Sequence, residues 1–288
     1  MKNSTADRCL LSIVMPVYNA GQYIEAALQN IAAQTFTNYE LLVLDALSTD
    51  HTKAVVEAKQ KENPRIRLIS EKDKGIYDAM NKGVREARGE WIYFMGCDDV
   101  FFDEHVLTAI SSHLTNEHDL VYGDVLWVPD EVMEKGICTP AELINRNINH
   151  QRIFYRKELF VKHGGYALQY RVASDHELNI RFFCNKAVRT KYIPVTVARY
   201  HSGGFSANQL DEVFWINWKN IFKNNFAQHL PREIMYEKLG WYCRYLIDKR
   251  EYKKAVPLFF DVLLHTWRPG FVKLTVEQFF KSRKVHAG

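Results

Sequence analysis

The sequence predicts an α/β fold, a mainly parallel sheet flanked by helices, followed by a helical C-terminal appendage. Three observations predict it. Four strand-like runs alternate with helix-like stretches through the N-terminal third, the β-α-β-α order that builds parallel sheets. Polar residues gather directly after each run, at the carboxyl edge where open α/β sheets bind ligands. From Gln209 onward the pattern turns wholly helical and rich in aromatics.

The elements follow in order. "LLSIVMPV" (10–17), "ELLVLD" (40–45), "RIRLIS" (65–70) and "EWIYFMG" (90–96) read as strands. Between the first two, Ile24, Ala27, Leu28 and Ile31 recur at the i, i+3, i+4, i+7 spacing of a buried helix stripe. The second helix follows "STD", a ready N-cap. The third, "GIYDAMNKGVREARG", sets Ile76, Met80 and Val84 on one face and ends at Gly89. A helix near 103–114, a strand over 119–128, an Asn/His-rich loop over 145–151, a helix near 175–184 and a strand "TKYIPVTVARY" follow. The chain then divides into 1–208 and 209–288, the second part carrying Phe214, Trp215, Trp218, Phe222, Trp241, Tyr242 and Tyr245.

Composition excludes several classes. With 47% hydrophobic and 25% charged residues the chain is neither disordered nor fibrous. Its five cysteines are scattered without a CxxC pair, which points to neither a disulfide framework nor zinc and suits a reducing cytosol. The N-terminal apolar run is short and ends at Pro16, so it reads as a strand, and no run is long enough to span a bilayer. The net charge of +4 is uneven. Residues 209–288 hold 14 Lys or Arg against 8 Asp or Glu, +6, which leaves −2 for the rest. An anionic neighbour is expected for the tail, and no nucleic acid.

The tips of the four strands converge on one crevice. They deliver "PVYN", Asp45, "SEKDKG" and Cys97-Asp98-Asp99. Neither a GxGxxG turn nor a GxxxxGK[ST] loop follows the first strand, which weakens dinucleotide and P-loop readings. Adjacent carboxylates at a strand tip suit a hard cation, Mg²⁺ or Mn²⁺, bridging protein to substrate phosphates; they also suit a plain turn. A diphosphate leaves only if its developing charge is compensated, and such chemistry needs a base for the acceptor. "RVASDHELNIRFF" offers Asp175 at a helix start, either as that base or as an N-cap.

Three segments carry a family resemblance: "LSIVMPVYNAGQYIEAALQNIAAQTFTNYELLVLDALSTDHT", "EKDKGIYDAMNKGVREARGEWIYFMGCDD" and "SDHELNIR". Over residues 10–206 the chain resembles the family 2 glycosyltransferases of GT-A fold, within them the bacterial branch that builds O-antigen, capsule and colanic-acid-type polysaccharides. The resemblance implies that Pro16, Val17, Tyr18 and Asn19 line the base and ribose and that Asp45 is the first acidic donor position. It implies that Asp73, Lys74 and Asn81 face the donor, that Asp98 reaches the ribose, and that Asp99 holds the metal. Asp175 matches the general base of an "ED" motif. His201 matches a region where some members add a metal-ligating histidine, a surface loop residue being the alternative. His150 and Gln151 fall near the acceptor side, with packing as the alternative. Two positions depart from the family pattern. Ala46 stands where many members have a uracil-contacting aspartate, and Ser174 where the motif often has Glu.

The implied activity is inverting, metal-dependent transfer of a sugar from a nucleotide-diphosphate donor, a UDP-sugar, to a polyprenyl-diphosphate-linked glycan. The alternatives are a nucleotidyltransferase and a catalytically silent sugar- or nucleotide-binding subunit. The expected location is cytoplasmic, peripheral on the inner face of the membrane. "FVKLTVEQFFKSRK" combines Phe271, Leu274, Phe279 and Phe280 with Lys273, Lys281, Arg283 and Lys284, the composition of an interfacial amphipathic helix. Packing of the helical appendage on the catalytic domain is the alternative.

Overall fold

The structure is a computed structural model that describes residues 9–201 and 210–266. The chain forms two compact units, Met1–Leu210 and Asp211–Gly288. In the first, β1 (Leu11–Val17), α1 (Ile24–Ala32), β2 (Tyr39–Asp45), α2 (Thr52–Glu62), β3 (Ile66–Ser70), α3 (Ile76–Glu86) and β4 (Trp91–Phe94) alternate as the sequence predicts. β5 (Val100–Phe101), α4 (Val106–Ser111), β6 (Leu120–Val128), β7 (Val132–Glu134), α5 (Pro140–Leu143), β8 (Ile153–Arg156), α6 (Lys157–His163), α7 (Ser174–Phe183) and β9 (Thr190–His201) complete it. The sheet order is β3-β2-β1-β4-β8-β6-β9-β5, with β7 on β6. β3, β2, β1 and β4 are mutually parallel; β8 runs against both β4 and β6, and β9 runs with β6.

Strand alternation covers both faces. Leu11, Ile13, Met15 and Val17 join Leu41, Val43, Trp91 and Tyr93 in a core closed by α1, α2 and α4. On the other face Val14 and Leu44 meet α3, and a Cβ on Gly83 would strike a Val14 methyl, so glycine lets the helix seat on β1. At the amino edge of the sheet Glu40, 5% exposed, accepts from Ser12 Oγ at 2.6 Å, Arg88 N at 2.5 Å and Arg67 Nη1 at 2.7 Å. Burial pushes its carboxyl up, and these donors together bring it below the ordinary value.

Some expectations shift. α1 buries Ile24, Ala27, Leu28 and Ile31 as read. α3 turns Tyr77, Met80 and Val84 inward and leaves Ile76 exposed, so its buried stripe starts one position later than the spacing suggests. It ends at Glu86, before Gly89. The helix near 103–114 shrinks to α4, and α5, α6 and the short strands β5, β7 and β8 are additions.

The second unit holds α8 (Glu212–Ile216), α9 (Trp218–Ile221), a π-helical turn (Phe222–Phe226), α10 (Arg232–Asp248) and α11 (Tyr252–Thr266). Its aromatics pack on one another: Trp215 stacks on Tyr242 at 5.3 Å and 15°, and Trp218, Phe222 and Phe226 are buried. Phe271 to Lys284, the expected interfacial segment, lies outside the described residues. No helix among the described residues is long and apolar enough to cross a membrane.

Candidate active site

Parallel strands β1 and β2 end in register, Val17 against Asp45, so their following loops must meet. Asn19, at φ 50°, donates its N–H to Ser48 Oγ at 2.9 Å and accepts from Thr49 N at 2.9 Å. Asp50 Oδ2 accepts from Gly21 N at 2.9 Å while its Oδ1 takes Thr52 N at 3.0 Å. The cap position of α2 is His51, which makes no side-chain cap bond, so "STD" is not the N-cap; Asp50, one residue earlier, holds the first N–H of the helix and ties the first loop to the second at once. Tyr18 stands out of this knot, 62% exposed. Asp45 is 1% exposed, its oxygens taken by Ser48 N at 3.0 Å and Ser70 Oγ at 2.6 Å.

After β4 the chain folds Asp98 and Asp99 back over the strand tip. A Cβ on Gly96 would fall 2.5 Å from Asp99 Oδ2 and 2.8 Å from Asp98 Oδ1, so both carboxylates use the space glycine leaves. Because β8 is antiparallel to β4, the turn that precedes it, His150–Arg152, lies at this same edge. Gln151 Nε2 donates to Asp99 Oδ2, and the Gln151 carbonyl accepts from Tyr93 Oη at 3.0 Å. Gln151 is fully buried, and its Oε1 has no protein partner. Arg152, 2% exposed, anchors the turn through Gly123 O at 2.6 Å, Gly136 O at 2.8 Å and Glu134 Oε1 at 2.9 Å. His150 is left within the fields of both Asp175 and Asp98; burial lowers its pKa against their pull.

Asp175 sits in the first turn of α7, half-buried. The capping position is Ala173, so Asp175 is not the N-cap. Asn147 Nδ2 donates to its Oδ2 at 2.8 Å, and Tyr77 Oη lies 3.1 Å from both its Oδ1 and Val172 O. Asn147 is itself oriented by Asn179 Nδ2 at 3.0 Å, whose Oδ1 accepts from Tyr155 Oη at 2.8 Å. α3, the 145–152 segment and α7 thus meet on one carboxylate.

The end of β9 closes the edge. His201 N donates to Asp99 Oδ1 at 2.9 Å, and its exposed imidazole Nδ1 lies 4.0 Å from the same oxygen. Asp99 is 3% exposed; burial and then the Asp98 charge raise its pKa to about 7, opposed by the His201 and Gln151 donors. Carboxylate oxygens with one imidazole nitrogen are donors that a divalent cation accepts. Among the described residues no group of three such ligands is gathered. The residues fit such an ion. Burial and Asp98 hold the Cys97 thiol near 12, protonated and no nucleophile.

The other expected residues are placed as follows. Asp73 Oδ1 accepts from Gly75 N at 2.8 Å, and Lys74 is exposed. Asn81 spends its amide on the Tyr166 backbone, Nδ2 to O at 2.9 Å and Oδ1 from N at 2.8 Å, clamping α3 to the loop before α7. Gln151, expected near the acceptor, lies under Asp99. Sequence reading did not single out Tyr77, Asn147 and Asn179, although Tyr77 and Asn179 lie inside the segments that carry the resemblance and Asn147 inside the Asn-rich loop.

Known proteins share the family and the fold. The family model described as Glycosyl transferase family 2 matches residues 12–178. A Mycobacterium bovis BCG protein named PGL/p-HBAD biosynthesis glycosyltransferase is 38% identical over 211 residues, 71% of this chain and 82% of that protein. Among solved structures, Staphylococcus aureus TarS 1–349 in complex with UDP-GlcNAc matches with TM-score 0.70 at 18% identity, covering 88% of this chain and 80% of that one. The mannosyltransferase PcManGT from Pyrobaculum calidifontis, in complex with GDP-Man and Mn²⁺, matches with TM-score 0.56 at 17% identity over 97% and 87%. These two likenesses show the GT-A fold.

Proposed function

We propose that this chain, which belongs to glycosyl transferase family 2, moves a sugar from a UDP-sugar to a hydroxyl of a lipid-linked glycan with inversion at the anomeric carbon. One observation carries the reading: the carboxylates of Asp175, whose two oxygens are both held, and of Asp98 act on His150, in the same turn that seats Gln151 under Asp99. Asp175 takes the acceptor hydroxyl's proton as that oxygen attacks C1 from the face opposite the diphosphate. Asn147 and Tyr77 fix the direction in which its lone pairs point. Asp99 and His201 would hold a divalent ion, which supplies charge compensation for the leaving diphosphate. Asp98 reaches the ribose, and Tyr18 lies against the base.

A donor diphosphate is supported by TarS and PcManGT, solved with UDP-GlcNAc and GDP-Man. A biosynthetic glycosyl transfer is supported by the relative's name, PGL/p-HBAD biosynthesis glycosyltransferase, and a place at the inner face of the membrane by the basic tail. Family membership sets the nucleotidyltransferase alternative aside. Asp175→Asn keeps the shape and removes the base, so turnover should fall about 10²-fold or more while donor binding persists; near-normal transfer overturns the assignment. Donor hydrolysis with Mn²⁺ by the wild-type chain excludes the silent-subunit alternative.

A further inference from the structure

We propose that a cavity within the C-terminal unit binds the phosphate headgroup of an anionic lipid. It measures about 510 Å³, and all its lining residues belong to Asp211–Gly288. Lys219, Lys223 and Arg232 supply charge; Phe222, Leu230 and Met235 supply an apolar wall. Lys219 pairs with Asp261 at 2.5 Å. Arg232 donates to Tyr236 Oη at 2.9 Å, and among the described residues neither it nor Lys223 meets a carboxylate. Two positive charges are left uncompensated.

Tyr236 organises these groups. Arg232 Cζ lies 5.3 Å and Lys219 Nζ 5.7 Å from its ring centroid, and His265 stacks on the ring at 4.5 Å and 7°. α10, 17 residues long, starts behind Pro231 with no capping side chain, and its first residue, Arg232, lines the cavity, which sets the positive end of the helix dipole beside it. Glu233 is in that first turn but does not line the cavity. Lys223 is presented by the π-helical turn, a local distortion that often accompanies a functional site. A phosphate beside an apolar wall is the chemistry of a lipid headgroup. Residues 267–288 are a poor occupant, since their five Lys or Arg against one Glu repeat the cavity's own sign.

This inference deepens the lipid-linked part of the proposed function and is tested without turnover, so that either can fail alone. The full-length chain should sediment with phosphatidylcholine vesicles containing phosphatidic acid about ten-fold better than with phosphatidylcholine alone. The double variant Lys223→Ala/Arg232→Ala should lose about ten-fold of that binding, whereas Lys53→Ala/Lys61→Ala, the same charge change on α2, should lose less than about two-fold. Lys223→Met, which keeps the side-chain stem, should lose about three-fold, a check that does not depend on the double variant's folding. Equal losses in both double variants, or none in Lys223→Met, overturn the site. Inorganic phosphate distinguishes the sources: saturable phosphate binding abolished by the double variant, with no vesicle preference, makes this a free-phosphate site and overturns the lipid assignment.

Discussion

Asn147 donates its side-chain amide to Asp175 Oδ2 at 2.8 Å, across 28 residues of chain. The bond fixes the carboxylate's rotation while leaving one lone pair of that oxygen for a reacting proton. In Asn147→Asp a second carboxylate stands in the same place, and two such neighbours cannot both ionise freely. The acid limb of kcat/KM should move up by about one pH unit or more, with activity recovering toward alkaline pH. An unmoved limb in a normally folded variant would remove Asn147 from the proton's surroundings.

Gln151 bears on Asp99 in the same way. Gln151→Leu takes the donor from Asp99 Oδ2 and leaves the buried oxygen bare. Losing a partner of this kind typically lowers metal affinity by about 10–100-fold. Titration of Mn²⁺ with UDP by calorimetry measures it directly, and unchanged affinity would count against Asp99 as a ligand.

The Asp99 carboxyl, held at about 7 by burial and by Asp98, gives a pH dependence of definite sign. A folded-state value above the unfolded one contributes stability that is fully present below about pH 4 and lost as pH rises through about 7. Metal binding requires the ionised form. Mn²⁺ with UDP should therefore raise the melting temperature more near about pH 8 than near about pH 5.5; equal shifts at both would contradict it.

Glu40 has the opposite sign. Ser12, Arg88 N and Arg67 outweigh burial and hold its carboxyl below the ordinary value, so its contribution is present at neutral pH and lost as pH falls below about 4.5. Glu40→Gln should cost about 1–3 kcal/mol at neutral pH. In urea melts the difference from wild type should shrink on acidification; a constant difference would show that charge is not what Glu40 contributes.

Nucleotide choice is set at the opposite, carboxyl edge of the sheet. The methyl side chain of Ala46 cannot accept a hydrogen bond from a base as a carboxylate there would, and such a bond to a charged group is worth about 1.5–3 kcal/mol. Asp45 already serves Ser48 and Ser70, which leaves Asp73 with the freer carboxylate. Thermal shifts with UDP, GDP, dTDP and CMP, each with Mn²⁺, should favour UDP, and Asp73→Ala should narrow its lead. A larger shift with GDP would reassign the donor.

The parallel half of the sheet was legible because β1, β2 and α1 carry their own periodicity, and each is long enough to show it. β8 was not. Its four residues, Ile153–Arg156, are too few for a pattern, and its reversal depends on pairing with β4. That reversal brings Gln151 under Asp99, a packed position of the kind that stood as the alternative to the acceptor side the resemblance implied. Tyr77 and Asp175 stand 98 positions apart, and nothing local in either segment announces their contact.

The connection from β4 to β5 has a mechanical consequence. β5 lies four strand spacings from β4 along the sheet, about 19 Å if flat, and the six steps from Phe94 to Val100 reach at most about 21 Å. The Tyr93 and Phe101 rings nevertheless stack at 5.2 Å, so the sheet curls until its far edge comes back over the middle strand. Asp98 and Asp99 ride on the short strap that bridges this curl. Lengthening or shortening residues 95–99 by a single position would swing both carboxylates off the edge, so this strap tolerates neither insertion nor deletion without loss of the site.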